Sequence, residues 1–291
     1  MATAALTRDY RKFAVLPVTP RIGAEVEGID LGADHSEDTI SEIRDALLTY
    51  KVLFFRDQEI TTEQHIAFGR RFGELEVLPS TPDDQNHPEI YHLRTIEKPL
   101  PEVDGKKTSG NVWHTDVSWR AEPSMGSVLV GRTIPDVGGD TMWSDMVAAY
   151  EGLSPALKEW LCTLTAVHDA SYFAVLAGKS RESFWESYPP QEHPLIRTHP
   201  ETGERSLYVS YPFTTHIKGL SKKESDQLLD HLFEQASIPE YQVRFGWREN
   251  SVAFWDNRAC QHYAIGDYAP AARHMKRVTI IGDKPFFDPA R

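Results

Sequence analysis

The sequence predicts a mainly β protein with flanking helices, arranged as a β-sandwich or jelly roll, on three observations. Short β-branched and aromatic runs recur between Gly, Pro, Asn and Asp turns, as barrels and sandwiches require. Strands and helices do not alternate regularly, which disfavours a doubly wound parallel sheet. No Gly-rich phosphate loop follows a strand, and no repeat of fixed period appears.

The first helix is predicted in SEDTISEIRDALLTY, where Ser36 can cap and Ile40, Ile43 and Leu47 share one face. The run VLFF from Val52 follows as a strand, then the helical stretch TTEQHIAFGRRFG. Residues 79–109 are polar, Pro-bearing and charged; they read as a loop region beside a site, a candidate lid, with one short possible strand, IYHLR, inside it. SVLVGRTI from Ser127 is strand-like, and LSPALKEWLCTL is helical, with Ser154 as cap and Pro155 at the first helical position. RSLYVS from Arg205 is a strand; LSKKESDQLLDHLF carries a capping box in Ser221 and Glu224; SVAFWD from Ser251 and RVTIIGD from Arg277 complete the strands. Residues 1–291 are expected to form one domain.

Aliphatic and aromatic residues make up 40 % of the 291 residues, enough for a packed core, and 25 % are charged. The net charge of −12 disfavours a nucleic-acid backbone or an anionic membrane as partner, because both need a basic face. An anionic ligand must then be caught by local arginines. With no apolar signal core and no run of roughly 18 apolar residues, a cytoplasmic protein is expected. Cys162 and Cys260 cannot form a disulfide framework, and Cys260, two residues before His262, reads as a buried small hydrophobe.

In NVWHTDVSW, His114 and Asp116 stand two residues apart, and residues i and i+2 of a strand point to one side. They can therefore offer a nitrogen and an oxygen to one metal ion. A strand-end histidine bonded to its neighbour's carboxylate has the same spacing, so the motif alone leaves both readings open. Far downstream, His262 follows a strand, and Arg273 and Arg277 lie beyond it. Two histidines and a carboxylate form the facial triad suited to non-haem Fe(II), with positions left for a chelating 2-oxo acid and O2. A dicarboxylic oxo acid would need a cation at its far end, best an arginine, whose planar fork matches a carboxylate. Zinc accepts the same ligands, so a zinc-type hydrolase is the alternative. A serine hydrolase is set aside, since no G-x-S-x-G turn exists.

Taken together, RIGAEVEGIDL, YKVLFFRDQ, FGELE, WHTDVSW, GGDTMW, HPLIRTHPETGERSLYV, WDNRACQHYAIGDY and MKRVTIIGDKPF resemble, in order, the taurine dioxygenase and 2,4-dichlorophenoxyacetate dioxygenase family of Fe(II)/2-oxoglutarate oxygenases. The resemblance covers nearly the whole chain and implies a double-stranded β-helix core. It implies that His114, Asp116 and His262 bind Fe(II), that Thr141 and Arg273 hold the distal carboxylate of 2-oxoglutarate, and that Arg277 binds the anionic head of the substrate. The implied reaction is hydroxylation of a C–H bond in a small anionic organic substrate with release of succinate and CO2. A homo-oligomer, dimer or tetramer, is also expected.

The sequence departs from taurine-specific relatives at three polar positions. Leu78 and Thr81 stand where those relatives carry a histidine and a tyrosine, and Gly110 aligns with their amine-binding asparagine, although Asn111 is adjacent. A buried site without these partners rejects the groups they satisfied. The pocket facing Arg277, with Leu78, Tyr172, Phe173 and Phe213, is therefore expected to take a less polar anion: a sulfonate, sulfate ester, aryloxyalkanoate or other carboxylate. The alternative is taurine itself, met by rearranged contacts. Trp113, Trp119, Trp143 and Trp255 are read as core packing, and His65, His168 and His216 as surface or satisfied core residues.

Overall fold

A computed structural model describes residues 8–77, 86–95, 111–176 and 178–291. Leu78, Thr81 and Gly110 lie outside these, as does all of 79–109 apart from 86–95. A seven-stranded sheet forms the centre, in spatial order Ala14–Pro17, Ala24–Glu27, Val52–Phe55, Val252–Asp256, Ser124–Thr133, His274–Ile281 and Tyr91–Arg94. All neighbours in it are antiparallel except the second and third strands. A three-stranded sheet, Gln242–Phe245, Thr141–Asp145 and Cys260–Ala264, faces it, and another, Thr214–Ile217, Thr165–His168 and Gln191–Pro194, lies beyond.

Alternation along the central strands assigns their side chains to two cores. Leu53, Phe55, Val128, Val130, Val252, Phe254, Val278 and Ile280 pack against the helices Glu37–Tyr50 and Thr62–Arg70, through Ile40, Ile43, Leu47, Ile66 and Phe68. Val52, Phe54, Leu129, Ala253, Trp255 and Met275 point the other way, onto Trp143, Val243, Phe245 and Cys260 of the facing sheet. The result is the expected mainly β jelly-roll core with helices on one side. Ring contacts tie the two sheets together: Phe54 stacks on Phe245 at 4.2 Å, and Trp143 meets Trp255 edge-on at 5.6 Å. Both tryptophans are buried, as the packing reading expects.

The helices begin where capping chemistry predicts. Ser36, Thr61, Ser154 and Ser221 each accept a backbone N–H of the first turn, and Thr61 with Gln64 and Ser221 with Glu224 form reciprocal capping boxes. The strand inside the loop region is Tyr91–Arg94, paired with His274–Ile281. Two helices escape sequence periodicity, Met146–Glu151 and Ser171–Leu176; each has 6 residues, too few to display a stripe. No helix among the described residues is long and apolar enough to cross a membrane.

Two predictions test this packing. Gly126 lies where strand Ser124–Thr133 approaches its neighbour so closely that an added Cβ would stand 2.5 Å from Trp255 O. Gly126→Ala should destabilise the protein by about 1–3 kcal/mol, read as a lower urea midpoint, and an unchanged midpoint contradicts the close approach. His65 is 0 % exposed and its Nε2 donates to Val128 O at 3.0 Å. Burial pushes its pKa from 6.5 to about 3, so the unfolded chain takes up a proton that the native state refuses. Stability should therefore fall as pH drops from 6.5 toward 3. His65→Gln should remove up to about 1.4 kcal/mol per pH unit from that slope in urea unfolding series, and an identical slope contradicts the assignment.

Candidate metal centre

Strand alternation also decides what points into the space between the two facing sheets. In Cys260–Ala264, Cys260 packs in the inter-sheet core, so His262 shares its side, and Gln261 and Tyr263 face outward. In Thr141–Asp145, Trp143 is inward and Thr141 shares its side. In His274–Ile281, Met275 is inward, and so is Arg277; in Ser124–Thr133, Leu129 is inward, and so is Ser127. Four polar side chains thus meet at one end of an apolar sandwich.

His114 joins them through the backbone. His114 N donates to His262 O at 3.1 Å and His262 N to His114 O at 2.8 Å, an antiparallel bridge that sets the two rings 4.1 Å apart. One ligand atom each from His114, Asp116 and His262 falls within 4.8 Å of the others. His114 Nδ1 donates to Val112 O at 2.8 Å, which fixes the tautomer and leaves Nε2 with a lone pair. Asp116 and His262 are buried, and His262 Nδ1 finds no partner among the described residues. Burial pushes both imidazoles below their ordinary value, so they are neutral near pH 7, the form that ligates metal. Two neutral imidazoles and a carboxylate are a donor set that fits Fe(II).

Asp116 is the electrostatic focus. Burial opposes its charge, but the Arg277 guanidinium outweighs burial, with help from the Ser127 hydrogen bond, and holds the carboxyl below the usual range. Arg277 donates through Nη1 to Asp116 Oδ1 at 2.6 Å, and Ser127 Oγ donates to Oδ2 at 2.9 Å. Arg277 lies over the Tyr91 ring at 5.2 Å, and its buried Nε has no partner among the described residues.

Arg273 packs against a glycine turn that leads into the strand of Thr141. Gly138 and Gly139 have φ of 83° and 71°, and a Cβ on Gly139 would crowd Arg273 Cδ at 3.2 Å. Arg273 is buried, and its Nε donates to Gly139 O at 3.1 Å. Trp247 Nε1 donates to Thr141 Oγ1 at 2.9 Å, so the hydroxyl proton stays available for an acceptor.

Sequence reasoning missed Trp247, Ser127 and Asn257. Asn257 Oδ1 accepts from Trp255 Nε1 at 2.9 Å and from Asp116 N at 3.3 Å, and its Nδ2 donates to Ser124 Oγ at 3.0 Å. The WDN triplet within the C-terminal motif was the available signal. Phe213 is buried with Val117, Trp119 and Ala170, and Tyr172 packs against this cluster. Phe173, 5.6 Å from Phe213 between ring centroids, is 38 % exposed. Asn111 lines a separate open hollow of about 520 Å³ with Trp113, Tyr211, Phe233 and the outward Gln261 and Tyr263. Leu78 and Thr81 lie outside the described residues. His65 and His168 are buried, and His216 is exposed.

Comparison with known proteins agrees with this geometry. The family model described as taurine catabolism dioxygenase TauD, TfdA family matches residues 14–279. The chain is 36 % identical to an alkylsulfatase of Acinetobacter baylyi, over 97 % of this chain and 89 % of that one. It is 35 % identical to an alpha-ketoglutarate-dependent sulfate ester dioxygenase of Pseudomonas putida, over 93 % and 90 %. The crystal structure of a taurine dioxygenase from Burkholderia xenovorans superposes with a TM-score of 0.82 at 39 % identity, covering 97 % of this chain and 93 % of that one. A match of this extent, on a jelly roll that gathers two histidines and an aspartate, places the chain in the TauD/TfdA family, as a 2-oxoglutarate-dependent dioxygenase that uses Fe(II), 2-oxoglutarate and O2.

Proposed function

We propose that this dioxygenase oxidises a small organic anion with an apolar body, a sulfate ester or sulfonate, at the carbon next to the charged group. One observation carries the reading: the buried Arg277 guanidinium stands against Asp116 at 2.6 Å, its Nε without a partner among the described residues, beside three ligand atoms within 4.8 Å of one another. An anion gripped by Arg277 would turn its neighbouring carbon toward those ligand atoms, and relatives are named as an alkylsulfatase and a sulfate ester dioxygenase. The chain is read as one catalytic domain.

His114, Asp116 and His262 are assigned as the metal ligands. Fe(II), when bound, activates O2 and couples decarboxylation of 2-oxoglutarate to succinate and CO2 with oxidation of the substrate. Arg273 pairs with the distal carboxylate of 2-oxoglutarate, and Thr141, whose oxygen already accepts from Trp247, donates its hydroxyl proton to the same carboxylate. Arg277 aims the substrate; orientation of this kind accounts for much of an enzyme's rate. Phe213, with Leu78 and Thr81, is assigned to the apolar body of the substrate, and Trp255 and Trp143 keep water from the ligands. A hydroxyl added to the carbon that bears sulfate or sulfonate gives a product that collapses to an aldehyde and the free inorganic anion.

Anaerobic titration of the Fe(II) protein with 2-oxoglutarate should develop a weak visible charge-transfer band, and His114→Ala or Asp116→Ala should abolish both the band and substrate-coupled decarboxylation. A variant with full turnover would overturn the ligand assignment. Arg273→Ala should raise the KM for 2-oxoglutarate about 10- to 100-fold, as expected for loss of charged hydrogen bonds. Arg277→Lys keeps the charge but loses the fork, so it should raise the substrate KM while the band persists. In a panel scored by succinate release, alkyl sulfates and sulfonates should exceed taurine; taurine as best substrate would overturn the substrate class, and hydrolysis without iron or O2 would overturn the mechanism.

A further inference from the structure

Val117 follows Asp116 with φ of 46°, in the left-handed region that a β-branched residue rarely enters. Such a conformation costs about 1–3 kcal/mol and persists only where its surroundings over-determine it. The turn that follows is held from a different sheet. His193 Nε2 lies 3.0 Å from both Ser118 O and Arg120 O. Since both partners are carbonyls, this nitrogen carries the proton and shares it between them. His168 Nδ1 lies 3.0 Å from Ser118 Oγ, and Arg120 N donates to Val117 O at 2.9 Å.

His168 and His193 come from neighbouring strands, Thr165–His168 and Gln191–Pro194, with ring centroids 5.2 Å apart. They are 0 % and 1 % exposed. Burial pushes His193 down to about 4 and His168 well below its ordinary value, so both rings are neutral near pH 7. The ligand-bearing segment is thus pinned on both sides of Asp116. Upstream lie the His262 bridge and Asn257; downstream lies a clamp of two histidines that do not touch the ligands.

We infer that His193, assisted by His168, is a positioning residue for Asp116: its shared N–H holds the turn 117–120 in the left-handed departure that keeps the carboxylate aimed at His114 and His262. The inference rests on the assignment of those three residues as metal ligands. A histidine that merely filled the core could be exchanged for any side chain that leaves the sheet folded. A positioning histidine can be exchanged only for another donor of the same reach.

The test is Co(II) binding to the metal-free protein without 2-oxoglutarate, followed by the visible spectrum of the bound ion, with thermal unfolding of each variant alongside. His193→Phe keeps bulk without the donor and should weaken Co(II) binding about 10- to 100-fold with an altered spectrum, while unfolding stays cooperative. His193→Gln restores an N–H and should bind within about threefold of the parent, less than 1 kcal/mol. Ser118→Ala removes only the His168 contact and should weaken binding severalfold. Parental affinity and spectrum in His193→Phe, or equal loss in the Phe and Gln variants, overturns the inference; should His193→Phe not fold, parental affinity and spectrum in His193→Leu does so, and parental affinity in Ser118→Ala removes the assistance of His168. Asp116→Ala separates the two levels: if it binds Co(II) as tightly as the parent, the ligand assignment itself fails.

Discussion

The backbone bridge between His114 and His262 is the constraint on which the site depends. Two hydrogen bonds, of 3.1 and 2.8 Å, join segments from opposite halves of the sequence and bring the imidazoles together before any metal contributes. Because His262 also pairs with Trp143 across Cys260–Ala264 and Thr141–Asp145, the same register fixes Thr141 relative to the ligands. A slip of one residue would turn Gln261 or Tyr263 inward and every inward side chain outward. Register is strongly specified here because the inward face is apolar, with Trp143 and Cys260 almost fully buried.

Asp116 and Arg277 show how a buried charge is tolerated. Each is expensive to desolvate alone, and removing one partner of such a pair typically costs about 3–5 kcal/mol because the other is left uncompensated. The Asp116 carboxylate adds Ser127 to its partners, whereas the Arg277 Nε is unpaired among the described residues. Arginine suits this place better than lysine: five donors in a rigid plane can serve the ligand carboxylate on one edge and an incoming anion on another. On the proposed assignment, the guanidinium links an anion held at Arg277 to the Asp116 carboxylate.

Much of this was legible in the sequence, but unevenly. The caps Ser36, Ser154 and Ser221 act on N–H groups three residues away, so local chemistry reveals them, whereas the cap at Thr61 emerged only from the structure. The helix Ser171–Leu176 was hidden because 6 residues cannot show a period and its stability comes from packing. His114 and Asp116 alone were an ambiguous spacing; His262, far along the chain, became their partner only through the order of motifs. Asn257 was missed because, WDN triplet aside, its bonds to Ser124 and Asp116 cross between segments distant in sequence. The close approach of Arg273 to Gly139 depends on the positive φ of Gly138 and Gly139, which the letters GG allow but do not specify. The roles of His168 and His193 depend on a neighbouring sheet whose placement no local pattern encodes.

The strand order of the central sheet has a consequence for biosynthesis. Strand Val252–Asp256 lies between Val52–Phe55 and Ser124–Thr133, and His274–Ile281 is inserted between Ser124–Thr133 and Tyr91–Arg94. A chain emerging from the ribosome cannot complete the sheet, or supply the third ligand and the two arginines, until residues 252–281 are free to pair. Until then, His114 and Asp116 lack the third member of their cluster, His262. Topology alone therefore delays the gathering of His114, Asp116 and His262 until the C-terminal strands have paired.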